Sequence, residues 1–395
     1  MDFIDDIFDL PPDAAIITGP VGCGKTQAAL NAIIDARRMG SAFNTIWVVL
    51  ATNEQIHAFR ERLVDHSEDH VQFGVEFYNF HQLYARLLEL AGNPQRQIEG
   101  TARYRILHHV ATGLQARGEL ELFGQIASLP GFIGQIAGLV HELKQALVFP
   151  EEFAAVALSR GPKDRDLARI YSGYQTLLRE KHLVDRHGAG WLALEYLESV
   201  ERLPLTLDLL VIDGFDQFST IHARLLTALA RHVRQTILTL TRAEDEQQGR
   251  RFRRFDQTRR RVLAAGGELW REQALEHCDA NARVPILDHL VHSVFHSAAP
   301  AQSPDEDRPS LSLIEAPDVR REVSAVLRRT KRLLLDGAPA ESIAILARRL
   351  DLYSGALRET AEAYGVPLVV REDVPLRENP AVAALLALID LHEGD

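Results

Sequence analysis

The chain has 395 residues, 46% hydrophobic and 25% charged, with a formal net charge of −11 and two cysteines. That length holds roughly two or three domains, and the acidic balance gives no general signature of a nucleic-acid binder. Cys23 and Cys278 lie far apart and form no CxxC pair, which argues against a disulfide framework, zinc site or iron–sulfur cluster in this stretch. The N-terminus Met1-Asp2-Phe3-Ile4-Asp5-Asp6 is acidic, unlike a signal or transit peptide. No apolar run reaches the ~20 residues that span a bilayer. A cytoplasmic protein with no membrane partner is expected.

The first predicted strand is the apolar run Ala14-Ala15-Ile16-Ile17-Thr18. Gly19-Pro20-Val21-Gly22-Cys23-Gly24-Lys25-Thr26 follows and fits the phosphate-binding pattern GxxxxGK[ST], with a helix-forming stretch from Gln27 to Arg38 behind it. Glycines let backbone N–H groups turn inward around phosphate oxygens, and the helix aims the positive end of its dipole at the same place. Lys25 then reaches the β- and γ-phosphates of ATP, and the Thr26 hydroxyl completes a Mg²⁺ shell. The plainer alternative is a glycine-rich strand–helix turn without ligand. Cys23 reads as a small loop residue.

Strand and helix continue to alternate to about residue 92. Thr45–Leu50 is a continuous β-type run, as in a buried parallel strand. Ala51-Thr52-Asn53 leads into a helix from Glu54 to Val64; a strand near Val75–Tyr78 precedes a helix from Asn79 through Leu90. The class is α/β, doubly wound. From 93 to 203 strand patterns vanish and helical periodicity takes over, as at Phe132, Ile136, Leu139 and Leu143, so an all-α insertion is expected. The sheet resumes over 204–300, with strands at Leu207–Asp213 and Gln235–Leu240 and a helix from Thr220 to His232 between them. A Pro-rich linker, Ala298 to Ser310, leads to a second α/β unit over 311–395. Its strands are expected at Leu311–Ile314, Ser342–Leu346 and Pro367–Val370. Three strands and a last helix do not finish a domain, so an N-terminal fragment of something longer is expected.

A nucleotide site of this kind needs an acidic residue at a neighbouring strand tip to hold Mg²⁺. Asp213 is the candidate, or else a plain strand-end Asp before a turn. The position after it, where a hydrolytic motor carries a water-activating Glu, is Gly214; Asp216, three residues on, is the one nearby acid. Nucleotide binding is thus better supported than turnover. Arg250, Arg251, Arg253, Arg254, Arg259, Arg260 and Arg261, with Phe252 and Phe255 between them, form either a DNA-contacting segment or a solvated helix face balanced by Glu244, Asp245 and Glu246.

Three segments together resemble superfamily 1 helicases of the UvrD/RecB type: the glycine loop, Trp47–Asn53 with its helix, and Phe80-His81-Gln82-Leu83. The helical insertion falls where those enzymes carry their 1B subdomain, and Val323, Val326 and Leu327 before Ile343–Arg348 resemble the start of a second RecA-like domain. Val211–Phe218 followed by Arg224-Leu225-Leu226 is most similar to the B subunit of AddAB-type helicase–nucleases; Pro130-Gly131-Phe132 with Glu142-Leu143 agrees. The resemblance implies a RecA-like sheet and an ATP-binding, helicase-like subunit in a DNA-end-processing complex for double-strand break repair by homologous recombination. It also implies a partner subunit, with single-stranded or duplex-end DNA held by Thr52, Asn53, Phe80 and His81. The bland alternative is that Asn79 caps a helix and Phe80 packs inward. Arg283, in Asn281-Ala282-Arg283, resembles the family's arginine finger, or is a surface Arg. Neither the family's GDxxQ element after Leu240 nor its adenine-reading Gln is present. With Gly214 after Asp213, the nucleotide is expected to regulate more than to fuel. An active DNA-dependent ATPase and a scaffold with a vestigial loop are the alternatives.

Overall fold

The computed structural model describes residues 13–39, 45–67, 73–242, 249–275, 290, 311–372 and 375–393. It divides into two units, whose described residues run mainly from 13 to 275 and from 311 to 393. The first is built on six strands, of which the central ones are largely apolar runs covered on both faces and the last, Trp270–Ala274, is exposed beyond its tryptophan. The six are β1 (Asp13–Gly19), β2 (Ile46–Leu50), β3 (Val75–Tyr78), β6 (Leu207–Asp213), β7 (Val233–Thr241) and β8 (Trp270–Ala274). They make one six-stranded sheet in the order β3-β2-β6-β7-β1-β8, every pair parallel.

Side-chain alternation splits the core into two layers. Ile16, Trp47, Val49, Leu210, Ile212 and Leu238 pack with α3 (Phe80–Leu90), α8 (Arg186–Ser199) and α9 (Thr220–Ala230). Ile17, Val48, Leu50, Leu209 and Val211 pack on the other face with α1 (Lys25–Met39) and α2 (Asn53–His66). Trp47 is fully buried, edge-on to Tyr78 at 5.2 Å. A helix α10 (Gly249–Gly266) follows β7. Because all strands run one way, the carboxyl ends of β1, β2, β3, β6 and β7 open along one edge, where parallel sheets place their ligands.

Between β3 and β6 stands a helical region with a separate core around Leu107, Ile133, Ile136, Tyr171 and Tyr174. It comprises α4 (Gly100–Ala116), α5 (Pro130–Gln145), α6 (Pro150–Leu158) and α7 (Pro162–Glu180), leading into α8. It is not wholly α: β4 (Arg96–Ile98) and β5 (Leu183–Asp185) form a two-stranded parallel ladder. Three-residue strands carry too few side chains for a period-2 pattern, so the helical signal hides them.

The second unit has α11 (Val319–Leu335), α12 (Ser354–Tyr364) and α13 (Pro380–Glu393). Val323, Leu327, Leu357, Ala361 and Val366 form its small core. The three expected strands are not formed: 311–314, 342–346 and 367–370 join no ladder among the described residues. Ile345 and Leu368 pack on the helices while Leu346 and Val369 are exposed, so helices cover one side of these two runs; 311–314 is exposed throughout, and no neighbouring described strand pairs the backbone of any of the three. Among the described residues no helix is long and apolar enough to cross a membrane.

Candidate nucleotide-binding site

The loop between β1 and α1 turns twice through left-handed backbone, at Gly22 (φ 82°) and Gly24 (φ 84°), where any side chain is strained. Gly19 is required for a different reason, since a Cβ there would collide with the Cys23 sulfur. Cys23 is buried and fills the loop from inside, as expected of a small loop residue. Pro20 and the exposed Val21 form the outer turn, closed by the Cys23 N–H donating to the Pro20 carbonyl at 3.4 Å. Lys25 opens α1, and its ammonium folds back to donate to the carbonyls of Gly19 (3.0 Å) and Pro20. It thus lies over the glycine loop itself.

Across the loop, the Thr26 hydroxyl donates to Asp213 Oδ2 at 2.9 Å, joining residues 187 positions apart. Asp213 ends β6 and is 5% exposed; Thr239 of β7 donates its hydroxyl to the other carboxylate oxygen. Strand β7, between β1 and β6, therefore supplies the side chain that fixes Asp213. Hydroxyl and carboxylate oxygens are the hard donors Mg²⁺ takes, so this pair fits that ion. Nothing in the sequence singles out Thr239, which looks like any β-branched residue in a strand.

Asp216 does not join this cluster. Its carboxylate pairs with Arg254 of α10 at 2.8 Å, and its carbonyl accepts from Thr258. Other arginines of that helix are partnered in the same way: Arg259 with Glu272 and Asp256, Arg260 with Asp256, and Arg261 with the Phe218 carbonyl. Phe252 is buried, 6.0 Å from Phe255. Among the described residues the acids paired with this helix are Asp216, Asp256 and Glu272. Glu244, Asp245, Glu246 and Arg283 lie outside the described residues.

The four candidate DNA residues divide. Thr52 caps α2, accepting from the Gln55 N–H. Asn53 Oδ1 accepts from Asn79 Nδ2 at 3.1 Å, and Asn79 caps α3 in a full capping box with Gln82. His81 is partly exposed, 3.8 Å from Glu99. Phe80 is a correction: it is 4% exposed and stacked on His222 at 3.8 Å, with Phe215 and Phe218 edge-on to it. First in a helix whose apolar stripe faces the sheet, its ring is committed to the core and has no face for a base.

One residue that sequence reasoning passed over lies between the two groups. Gln55 donates from Nε2 to the Gly214 carbonyl at 3.2 Å and accepts at Oε1 from the Ala51 N–H at 3.0 Å.

A fully parallel sheet with a glycine loop at one strand end and an acid at another defines a RecA-like α/β protein. Residues 16–290 match the family described as ADDB, N-terminal, and the chain belongs to that family. It is similar to proteins named as the B subunit of an ATP-dependent helicase/deoxyribonuclease. Identity is 22% with that of Bacillus subtilis (strain 168), over 97% of this chain and 34% of the relative. It is 27% with that of Geobacillus kaustophilus (strain HTA426), over 95% and 33%. With that of Moorella thermoacetica it is 25%, over 95% and 34%. The chain thus spans about a third of the length of these relatives.

Proposed function

We propose that this chain is the ATP-binding, helicase-like part of a subunit in a cytoplasmic helicase–nuclease complex. That complex processes DNA ends for double-strand break repair by homologous recombination. The names of the relatives, each a helicase/deoxyribonuclease subunit, support DNA as the ligand and a second subunit as partner. The observation that carries the reading is the Thr26–Asp213 hydrogen bond beside a loop that positions Lys25 over its own carbonyls.

In this reading the amides from Gly22 to Thr26 and the N-terminus of α1 take the phosphate oxygens. Lys25 would leave the Gly19 and Pro20 carbonyls for the β/γ oxygens, and Thr26 and Asp213 would hold Mg²⁺, whose charge would offset that of the phosphates. Among the described residues neither position expected to activate water is equipped for it. The residue after Asp213 is Gly214, and the Asp216 carboxylate is engaged by Arg254. The nucleotide therefore serves as a conformational ligand, effective because its affinity differs between states.

Titration with Mg²⁺ and a fluorescent ATP analogue tests the site: Lys25→Ala should weaken binding at least about tenfold, the scale of losing a charge-assisted contact. Wild-type binding as weak as the variant's would sink the proposal. Rapid hydrolysis stimulated by single-stranded DNA and abolished in Lys25→Ala would instead make the chain a motor. Salt-dependent binding to single-stranded DNA distinguishes both from a scaffold.

A further inference from the structure

Two helices on the ligand edge of the sheet begin with a polar residue followed three positions later by glutamine, Thr52…Gln55 on α2 and Asn79…Gln82 on α3. That spacing is the signature of a capping box, in which both side chains satisfy their own helix start. Gln82 does so, accepting from the Asn79 N–H at 2.9 Å. Gln55 does not. Its backbone N–H still donates to Thr52 Oγ1 at 3.2 Å, but its amide leaves the helix for the Ala51 N–H and the Gly214 carbonyl.

Ala51 and Gly214 are the residues immediately beyond the last ladder pair of β2 and β6, Leu50 with Asp213. The Gln55 amide, donor on one side and acceptor on the other, stands in for a peptide unit and adds one more rung between these strands. Gly214 is shaped to receive it. Its φ of 79° is left-handed, and a Cβ there would sit 3.1 Å from the Gln55 amide. The absence of a side chain after Asp213 is thus matched to a side chain from α2. One end of the bridge is a residue from the Asp213 carboxylate; the other is in the turn that presents Thr52 and Asn53. Asn53 in turn holds the cap of α3.

We infer that Gln55 is a positioning residue that links the Thr26–Asp213 centre to the Thr52–Asn53 edge, so that nucleotide bound at one site changes the affinity for single-stranded DNA at the other. This rests on the function proposed above and adds the residue that carries the communication. Only an amide fits. Gln55→Glu would lose the donor and face the Gly214 carbonyl with charge, and Gln55→Ala would remove both bonds. Neither substitution touches the backbone N–H that Thr52 caps.

The test measures binding of a labelled oligodeoxythymidine to the full-length protein, with and without saturating Mg²⁺ and a non-hydrolysable ATP analogue. Wild-type affinity should shift at least about fivefold between the two conditions, the low end of measured couplings. In Gln55→Ala and Gln55→Glu the shift should fall to within about twofold, while each ligand's affinity in the absence of the other, and the thermal midpoint, stay near wild type. Both ligands binding with no coupling in the wild type, or full coupling surviving in Gln55→Ala, overturns the inference alone. Failure of the wild type to bind the nucleotide overturns it together with the proposed function.

Discussion

Two carboxylates end two strands of the first unit, both nearly excluded from water, and they are held in opposite ways. Asp185, at the end of β5, is 3% exposed and takes the Lys144 ammonium at 2.7 Å, the Tyr174 hydroxyl at 2.8 Å and the Gly188 N–H at 2.7 Å. Lys144 is itself 1% exposed and lies over the rings of Tyr174 and Trp191. Burial alone would raise the Asp185 pKa; the Lys144 charge and the hydrogen bonds outweigh it and hold the carboxyl below its ordinary value. Asp213, at the end of β6, is met by two neutral hydroxyls. Asp185 has its cation within the protein, whereas Asp213 is oriented by hydroxyls among the described residues. Burial does not distinguish these two acids; the chemistry of their partners does.

Breaking the closed centre should have the largest effect. Lys144→Met strands Asp185 without its cation and should cost about 3–5 kcal/mol of stability by chemical denaturation. Lys144→Met combined with Asp185→Leu should cost less than the single variant, and equal losses would show that the pair's charge is not what matters.

Acid should attack the same region next. His187, beside His141 at 2.9 Å, is pushed down to about 4 by burial and then by its histidine neighbour, and burial takes His222 down to about 3. Both are neutral in the folded state at pH 7, while the unfolded chain takes up their protons below pH ~6.5. Stability is therefore complete above that value and falls as the pH drops toward 4. For His187 the loss between pH 7 and pH 5 is on the order of 2 kcal/mol. His187→Leu should flatten its share of the slope, as read from denaturation midpoints across that range.

The smallest stability effect belongs to the open centre. Asp213→Asn keeps a group that both accepts and donates between Thr26 and Thr239, and should change stability by less than about 1 kcal/mol. Its Mg²⁺-dependent nucleotide affinity should nonetheless drop severalfold. A loss of stability as large as that of Lys144→Met would erase the contrast between the two acids.

The glycine loop was legible because its spacing reports a backbone shape, and Gly22 and Gly24 adopt the conformations that spacing demands. The β6 run was equally plain, since Leu209 to Ile212 are buried on both faces. Asp216 was ambiguous because its partner, Arg254, lies on another element 38 residues away. Phe80 misled because a helix start that packs inward and one that meets a base have the same letters; only the neighbouring His222, Phe215 and Phe218 decide. Gln55 carried a readable capping pattern, but its diversion to Gly214 depends on β2 and β6 being adjacent, a property of the fold. The runs at 342–346 and 367–370 show the converse: β-type composition is a local trait, and a ladder needs a neighbour.

The strand order has a consequence for how the protein comes into being. The loop carrying Lys25 and Thr26 emerges from the ribosome early, but Asp213 and Thr239 follow roughly two hundred residues later, at synthesis rates of about 5–20 residues per second. Until then β1 lacks β7, β2 lacks β6, and their apolar faces wait uncovered while the helical region in between collapses on its own local contacts. The nascent chain is thus most vulnerable to misassembly in the interval before its seventh strand arrives, and that interval is where a chaperone would be needed.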